Sequence, residues 1–438
     1  MAGELTGRLT RCRREAVTTL FRSLRIRGYR IWWIGMTASN LGTWVQRIAQ
    51  DWLVLTVLTN EDATAVAVNM VLNFLPPVAL LPLTALVADR FDRKKTLLVT
   101  QSIQALLAIA LAVLTLTGTI ELWMVFGLSA ALGITSAFDQ PVRQTFVSEL
   151  VPISSIGNAI ALNQMSFNAG RLIGPGLGGL LVAVAGPGWG FVVNAVAFAG
   201  TIIALVIIPA SARDIPVRLP TAGGVGKAFS FIRSRGDVAV IFVMMFFVGL
   251  FALNTPLYIA TMTRIEFHVG ANMLGYLTSA MAIGSLTGAL MAARRGQPTL
   301  KHLTIASAGL GAAFLICAIA PALWFFGVAL ACLGMGVMTT TASANGLIQI
   351  ATPPELRGRV IAIYLASLSV ASAVGALIAG PIIDVFGPRW AMVAAGTASL
   401  IAVTIVLVWL AVARSFRVHW NRSLRWPLRF APRPDPGT

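Results

Sequence analysis

The chain has 438 residues, 57% of them hydrophobic and only 11% charged, with a mean hydropathy of +0.81. A soluble domain of this size needs far more charge on its surface, so composition excludes a soluble enzyme or binding module and indicates an integral membrane protein. The formal charge of +17 would suit a nucleic-acid binder only if the basic residues formed one patch, and they are instead scattered over the tails and alternate loops.

Residues 1–30 form a basic tail carrying Arg11, Arg13, Arg14, Arg22, Arg25, Arg27 and Arg30. The apolar run that follows is too long for a cleaved signal and ends in no small-residue cleavage site, so the tail is expected to be retained. Trp32 and Trp33 suit the aromatic belt at a membrane interface. From there, twelve apolar segments are each long enough to cross a hydrocarbon core of about 30 Å at about 1.5 Å per residue. They are expected at 31–58, 63–88, 96–117, 121–142, 155–185 and 189–209, then at 237–263, 269–293, 301–320, 322–349, 355–386 and 390–413. A linker at 210–236 separates the two sets and holds Pro216, Pro220, Gly223, Gly224 and an amphipathic run from Lys227 to Arg235. A second basic tail, with Arg414 through Arg433, occupies 414–438. The expected fold class is therefore an all-α membrane protein with twelve transmembrane helices in two six-helix halves, 31–209 and 237–413.

An even number of spans puts both termini on one side, together with the loops after spans 2, 4, 6, 8 and 10. These segments hold 29 of the 33 Lys and Arg, leaving only Arg47, Arg171, Arg264 and Arg389. The asymmetry predicts cytoplasmic termini. It also gives the basic clusters a role against anionic membrane lipid, and no nucleic acid is expected as a partner.

The segment Gly170-Arg-Leu-Ile-Gly-Pro-Gly-Leu-Gly-Gly179 lies in the middle of the fifth span. Gly170, Gly174 and Gly178 fall on one narrow arc, a groove without side chains that a neighbouring helix can approach closely. Pro175 removes one backbone hydrogen bond there, which suggests a bend. Simple helix packing through glycine is the alternative. A shift of 201 residues lays Pro152, Gly157, Gly174 and Gly179 on Pro353, Gly358, Gly375 and Gly380, and Gly186-Pro187-Gly188-Trp189 on Gly387-Pro388-Arg389-Trp390. Spans 5 and 6 are thus echoed by spans 11 and 12, and two parallel repeats around a central path describe a rocker-type secondary transporter.

On these residues the chain resembles the major facilitator superfamily. The family signature after the second span, G-x-L-A-D-R-x-G-R-K, has its counterpart in Ala85 to Lys95, with Ala85 and Asp92 replacing the glycines and Asp89, Arg90, Arg93 and Lys94 retained. The resemblance implies a gate in which Asp89 meets the start of the eleventh span near Thr352-Pro353-Pro354-Glu355, with Thr352 or a neighbour as cap. A charge run that only sets topology is the plain alternative. Gly170, Gly174, Pro175, Gly178 and Gly179 match the glycine motif of proton-driven exporters. Ala137 to Gln144, with Asp139 and Arg143, resembles the branch of enterobactin and macrolide exporters. The arginine that many proton antiporters carry in the fourth span is replaced by Ser129.

Charges inside the bilayer are costly and mark function. Asn40, Thr43, Arg47 and Asp51 share one face of the first span, and Gln164, Asn168 and Arg171 one face of the fifth. These residues form the candidate site for substrate and proton coupling. Of the sixteen acids only Asp51 lies well inside a span. Arg47, one turn before it, is expected either to neutralise it in an intrahelical ion pair or to release it during a transport cycle. Each further Asn or Gln is as readily an interhelical hydrogen bond as a cavity group.

Gly226-Lys227 lacks the surroundings of a phosphate loop, and Cys12, Cys317, Cys332, His268, His302 and His419 have no metal-ligand spacing. No enzyme activity, metal or cofactor is expected, the energy source being the proton gradient. The expected function is export of a small amphipathic molecule, such as a drug, siderophore or other metabolite, across the cytoplasmic membrane in exchange for protons, by a chain that works as a monomer. An uptake symporter, a lipid flippase or a non-transporting scaffold would share most of these features.

Overall fold

The computed structural model describes residues 21–80, 83, 84, 87, 90–209, 225–294 and 298–413. Expectations that fall on Cys12, Ala85, Asp89, Pro216, Pro220, Gly223, Gly224, His419 and the outer parts of both tails lie outside these residues. Among the described residues the chain is helical throughout, without a strand.

After a short 3-10 turn at Arg22–Arg25, helix α1 runs from Arg27 to Trp52 and continues as a π-helix over Leu53–Leu58. It is followed by α2 (Ala63–Ala79), α3 (Arg93–Leu116), α4 (Leu122–Leu150), α5 (Ile156–Ala185) and α6 (Pro187–Ile207). The linker contains α7 (Val225–Ser234), whose amphipathic run forms a helix. Then come α8 (Gly236–Ala252), α9 (Thr255–Thr261), α10 (Ala271–Arg294), α11 (Leu300–Ala318), α12 (Leu323–Ala351), α13 (Pro354–Phe386) and α14 (Pro388–Ala413).

Among the described residues, ten helical stretches are long and apolar enough to cross a membrane. The two expected spans outside that set are informative. Residues 27–58 are interrupted by Asn40, Gln46, Arg47, Gln50 and Asp51, which lower their apolarity; α2 is described as a regular helix only to Ala79, after Pro76 and Pro77. On α3 the large exposed side chains Val99, Ile103, Leu106, Ile109 and Val113 recur at spacings of three and four, while Thr100, Gln101 and Gln104 are buried. An apolar exterior over a polar interior inverts the soluble pattern and is the arrangement a lipid environment demands.

The expected seventh span is broken. Leu253 and Asn254 separate α8 from α9, and the Asn254 side chain donates to the carbonyls of Leu250 on α8 (2.8 Å) and Ser372 on α13 (3.0 Å). A second π-helix, Met262–Glu266, ends this span as Leu53–Leu58 ends the first. Each is followed by a non-glycine residue in the left-handed region, Glu61 (φ 64°) and His268 (φ 52°). π-helices of this kind are common at functional sites. No periodicity in the sequence announces them.

The internal repeat is visible at its punctuation. Gly186 and Gly387 have φ of 88° and 91° with extended ψ, a region open to glycine alone, and each is followed by proline at the first helical position of α6 or α14. The expected capping by Thr352 is not found. Its hydroxyl donates back to the Ile348 carbonyl (2.6 Å), closing the end of α12, and α13 starts at Pro354 without a side-chain cap.

Within residues 27–207, α1 packs on α5 and α6, α3 on α4 and α6, and α2 on α4. Within residues 236–413, α10 packs on α12, α11 on α12 and α14, and α8 on α13 and α14. The two sets meet through α5 against α10 and α2 against α13.

Candidate functional site

The glycine motif of α5 has two working faces. A Cβ at Gly170, Gly174 or Gly178 would lie 3.1 Å from the Asn40 carbonyl carbon, 2.5 Å from Trp44 Cβ and 3.0 Å from Val45 Cα, all on α1. Gly179 faces the other set of helices, where its Cβ would stand 2.9 Å from Gly275 Cα and closer still to the Ala271 carbonyl oxygen on α10. Pro175 lies within the continuous helix, and its carbonyl abuts Gly275. The groove therefore seats α1 on one side and receives α10 on the other.

The polar stripe of α1 divides by role. Asn40 is buried and donates to Ser166 Oγ on α5 (3.0 Å), and Thr43 donates to the Ser39 carbonyl (2.8 Å), so both are spent on packing. Arg47 differs from the intrahelical pair considered from sequence. Its guanidinium stands between the rings of Trp44 (5.0 Å) and Phe74 (5.1 Å), a cation–π arrangement, and no hydrogen bond or ion pair joins it to Asp51. The Arg47 side chain keeps accessible surface, and Asp51 one turn on is half-buried. Arg47 lies within Coulomb range of both Asp51 and Arg171.

Arg171 and Asn168 border a cavity of about 20 Å³ between α5, α10 and α12, closed by Ser285, Leu286 and Met338. That is about the room for one water molecule. Arg171 Nη2 reaches Ser285 Oγ at 3.4 Å, a long contact, and no carboxylate among the described residues pairs with it. Gln164 is exposed and does not border this cavity. The other two basic residues set apart by the loop count are committed elsewhere. Arg264 pairs with Glu61 (2.8 Å); Arg389 pairs with Glu266 (2.8 Å) and donates to the carbonyls of Ala318 and Ala320 at the end of α11.

Four of the expected gating residues, Arg93, Lys94, Asp139 and Arg143, are tied within the first set of helices. Arg93 pairs with Glu149 (3.1 Å), both buried, and Lys94 donates to the Ile208 carbonyl (2.7 Å) at the end of α6. Asp139 is 1% exposed, pairs with Arg143 one turn on, and accepts from Thr100 (2.7 Å) and Gln101 (2.8 Å) on α3. Arg90 is exposed. Asp92, which replaces a motif glycine, caps α3 by accepting from the Lys95 amide (2.9 Å), so the substitution gains a helix cap.

One buried network is not legible in the sequence. Gln50 donates to Asn69 (2.9 Å) and Ser129 (2.6 Å), and Ser129 donates to Asn69 (2.5 Å), joining α1, α2 and α4. The position where many antiporters carry an arginine is thus a closed neutral hydrogen-bond core. Gln46, which accepts from Asn194 of α6 at 2.7 Å, is a further packing contact.

Comparison with known proteins gives a family match over residues 18–429, to the family described as transmembrane secretion effector. The chain is 24% identical over 363 residues to the multidrug efflux pump Tap of Mycolicibacterium fortuitum, covering 80% of this chain and 87% of that protein. It is 25% identical over 351 residues to the enterobactin exporter EntS of Escherichia coli O1:K1 / APEC, covering 75% and 79%. In fold it resembles a bacterial homologue of the iron transporter ferroportin in its inward-facing state, with a TM-score of 0.69, 14% identity and coverage of 88% and 98%. A D-xylose–proton symporter is similar at a TM-score of 0.67, 13% identity and coverage of 86% and 95%.

Proposed function

Because the chain belongs to the transmembrane secretion effector family of the major facilitator superfamily, we propose that it exports a small amphipathic molecule across the cytoplasmic membrane in exchange for protons, with both termini inside. It is a multi-pass membrane protein of a transporter family rather than an enzyme family, and its efflux-pump relatives support an exporting role. The observation that carries the finer reading is the set of charges left over once packing is accounted for. Arg47, Asp51 and Arg171 share one interior region with no ion pair consuming them, whereas Arg264 and Arg389 are held in pairs. Interior charges that are not spent on structure are the groups available to cargo.

Two guanidiniums and one carboxylate leave a net positive charge, which favours an anionic or neutral cargo over a cation. In the cycle we propose, cargo binding from the cytoplasmic side draws Arg47 from its aromatic seat toward Asp51, whose carboxyl group gives up its proton to that side beside the guanidinium. A proton taken up by Asp51 from the other side returns Arg47 to its seat and releases the cargo there, so proton and cargo occupy the site in alternation. The glycine face toward α10 is where the two helix sets slide or part. No cofactor enters this scheme, and the monomer contains every group it uses.

Everted membrane vesicles test the reading. With an acid interior imposed, vesicles containing the protein should accumulate members of a panel of anionic and neutral amphipathic compounds, and vesicles without it should not. Equal accumulation in both preparations across the panel would remove the exporter assignment.

A further inference from the structure

We propose that Asp384, at the last turn of α13, is a latch that holds shut the end of the transporter remote from its termini, and that the transport cycle must release it. The first amides of any helix lack intrahelical partners and carry the positive end of its dipole. In α2 the local sequence meets this need only in part. Asp62 accepts from the Ala65 amide (2.9 Å). The amides of Ala63 and Thr64 are satisfied from a distance of more than 300 residues: Asp384 Oδ1 accepts from Ala63 N (2.8 Å), and Oδ2 accepts from Thr64 N (3.1 Å) and Thr64 Oγ1 (2.5 Å). One carboxylate of the second helix set therefore completes the cap of a helix in the first.

Two further contacts place this cap at a seam. Gly380, one turn before Asp384, lets α13 come so close to α2 that a Cβ there would stand 2.7 Å from Thr64 Cα. Beside it, Glu61 and Arg264 pair at 2.8 Å, joining the residues that follow the first π-helix to the second π-helix across the same seam. The matching ends of the first and seventh spans are thus tied together where α13 meets α2.

An open hollow of about 460 Å³ is bordered by Glu61, Asp62, Thr64 and Asp384. Water at that hollow can replace each of the bonds that Asp384 makes, so the contact is reversible, unlike the buried Arg93–Glu149 pair. Alternation between the two ends of a transporter requires a tie of this kind to open.

The proposal rests on alternating access but not on the cargo or the driving ion, so a test without substrate is independent of the exporter assignment. The full chain, with Cys12, Cys317 and Cys332 changed to serine, would carry spin labels at Thr119→Cys and Pro321→Cys, on two loops at this end, in lipid nanodiscs. Loss of a charged cap should raise the ratio of the long-distance to the short-distance population on the order of tenfold in Asp384→Ala. Asp384→Asn, which keeps one acceptor, should give a smaller shift, and Thr64→Val, which removes only the hydroxyl donor, the smallest. Unchanged distance distributions in a folded Asp384→Ala protein would overturn the latch. If that variant does not fold, unchanged distributions in both Asp384→Asn and Thr64→Val would overturn it equally.

Discussion

Replacing Gly179 by alanine adds one methyl group at the contact between α5 and α10. That carbon would stand 2.9 Å from Gly275 Cα and 2.9 Å from Gly275 N, with the Ala271 carbonyl oxygen nearer still. Carbon atoms in ordinary contact lie about 3.5–4.0 Å apart, so the two backbones must separate by roughly 0.6–1.1 Å. The atoms met are all main chain, and no side chain can rotate aside. Overpacking of this kind costs about 1–3 kcal/mol, and the cost applies only to conformations in which α5 and α10 touch at this level. At about 1.4 kcal/mol per factor of ten, the closed population should fall by roughly 5- to 150-fold relative to the open one. Gly174→Ala offers the contrast, because its methyl would meet Trp44 Cβ at 2.5 Å on α1, a contact inside one helix set. It should lower thermal stability in every conformation and leave the balance between conformations alone. Gly127→Ala, with nothing within 4 Å, should be neutral or stabilising by up to about 1 kcal/mol. The Thr119 and Pro321 label pair reads the balance, and thermal unfolding in detergent reads stability. If Gly179→Ala lowered the unfolding midpoint as Gly174→Ala does, with no change in the distance distribution, the division of the motif into a fixed face and a moving face would be wrong.

Glu149→Gln leaves Arg93 buried beside a neutral group, and removing one partner of a buried pair costs about 3–5 kcal/mol. The unfolding midpoint should drop by several degrees, and an unchanged midpoint would mean that water already solvates the pair. For orientation, cysteine at Glu121 should react with an impermeant thiol reagent added outside intact cells, whereas cysteine at Gly224 should react only after permeabilisation. The reverse labelling would invert the assigned topology.

Much of the architecture is legible in the sequence because it is written in local terms. Gly186-Pro187 and Gly387-Pro388 stand 201 residues apart and both turn out to be the positive-φ junctions that start α6 and α14. The glycine motif is equally plain, since a side chain cannot be absent by accident at three positions on one arc, although its second face toward Gly275 needs the position of α10. The site is less legible. A helical wheel places Asn40, Thr43, Arg47 and Asp51 on one face, but only the packing of α5 shows that Asn40 is consumed by Ser166 while Arg47 turns to Trp44 and Phe74. Gln50 gave no signal beside Asp51, because its partners Asn69 and Ser129 are distant in sequence. Asp384 sits at a helix end, and its bonds to Ala63 and Thr64 depend on a contact spanning more than 300 residues. The breaks at Asn254 and the two π-helices likewise arise from packing and carry no periodic mark.

The most direct test of the account concerns Asp51. In everted vesicles, the Asp51→Asn protein should exchange labelled for unlabelled cargo down its own gradient at a rate near that of the wild type, because Arg47, Arg171 and the helix contacts are intact. It should fail to accumulate cargo when an acid interior is imposed, because among the described residues no other carboxylate lies beside Arg47 to take the proton. Accumulation at the wild-type level under the imposed gradient would contradict the account, and would make Asp51 a structural neighbour of Arg47 rather than the group that couples proton to cargo.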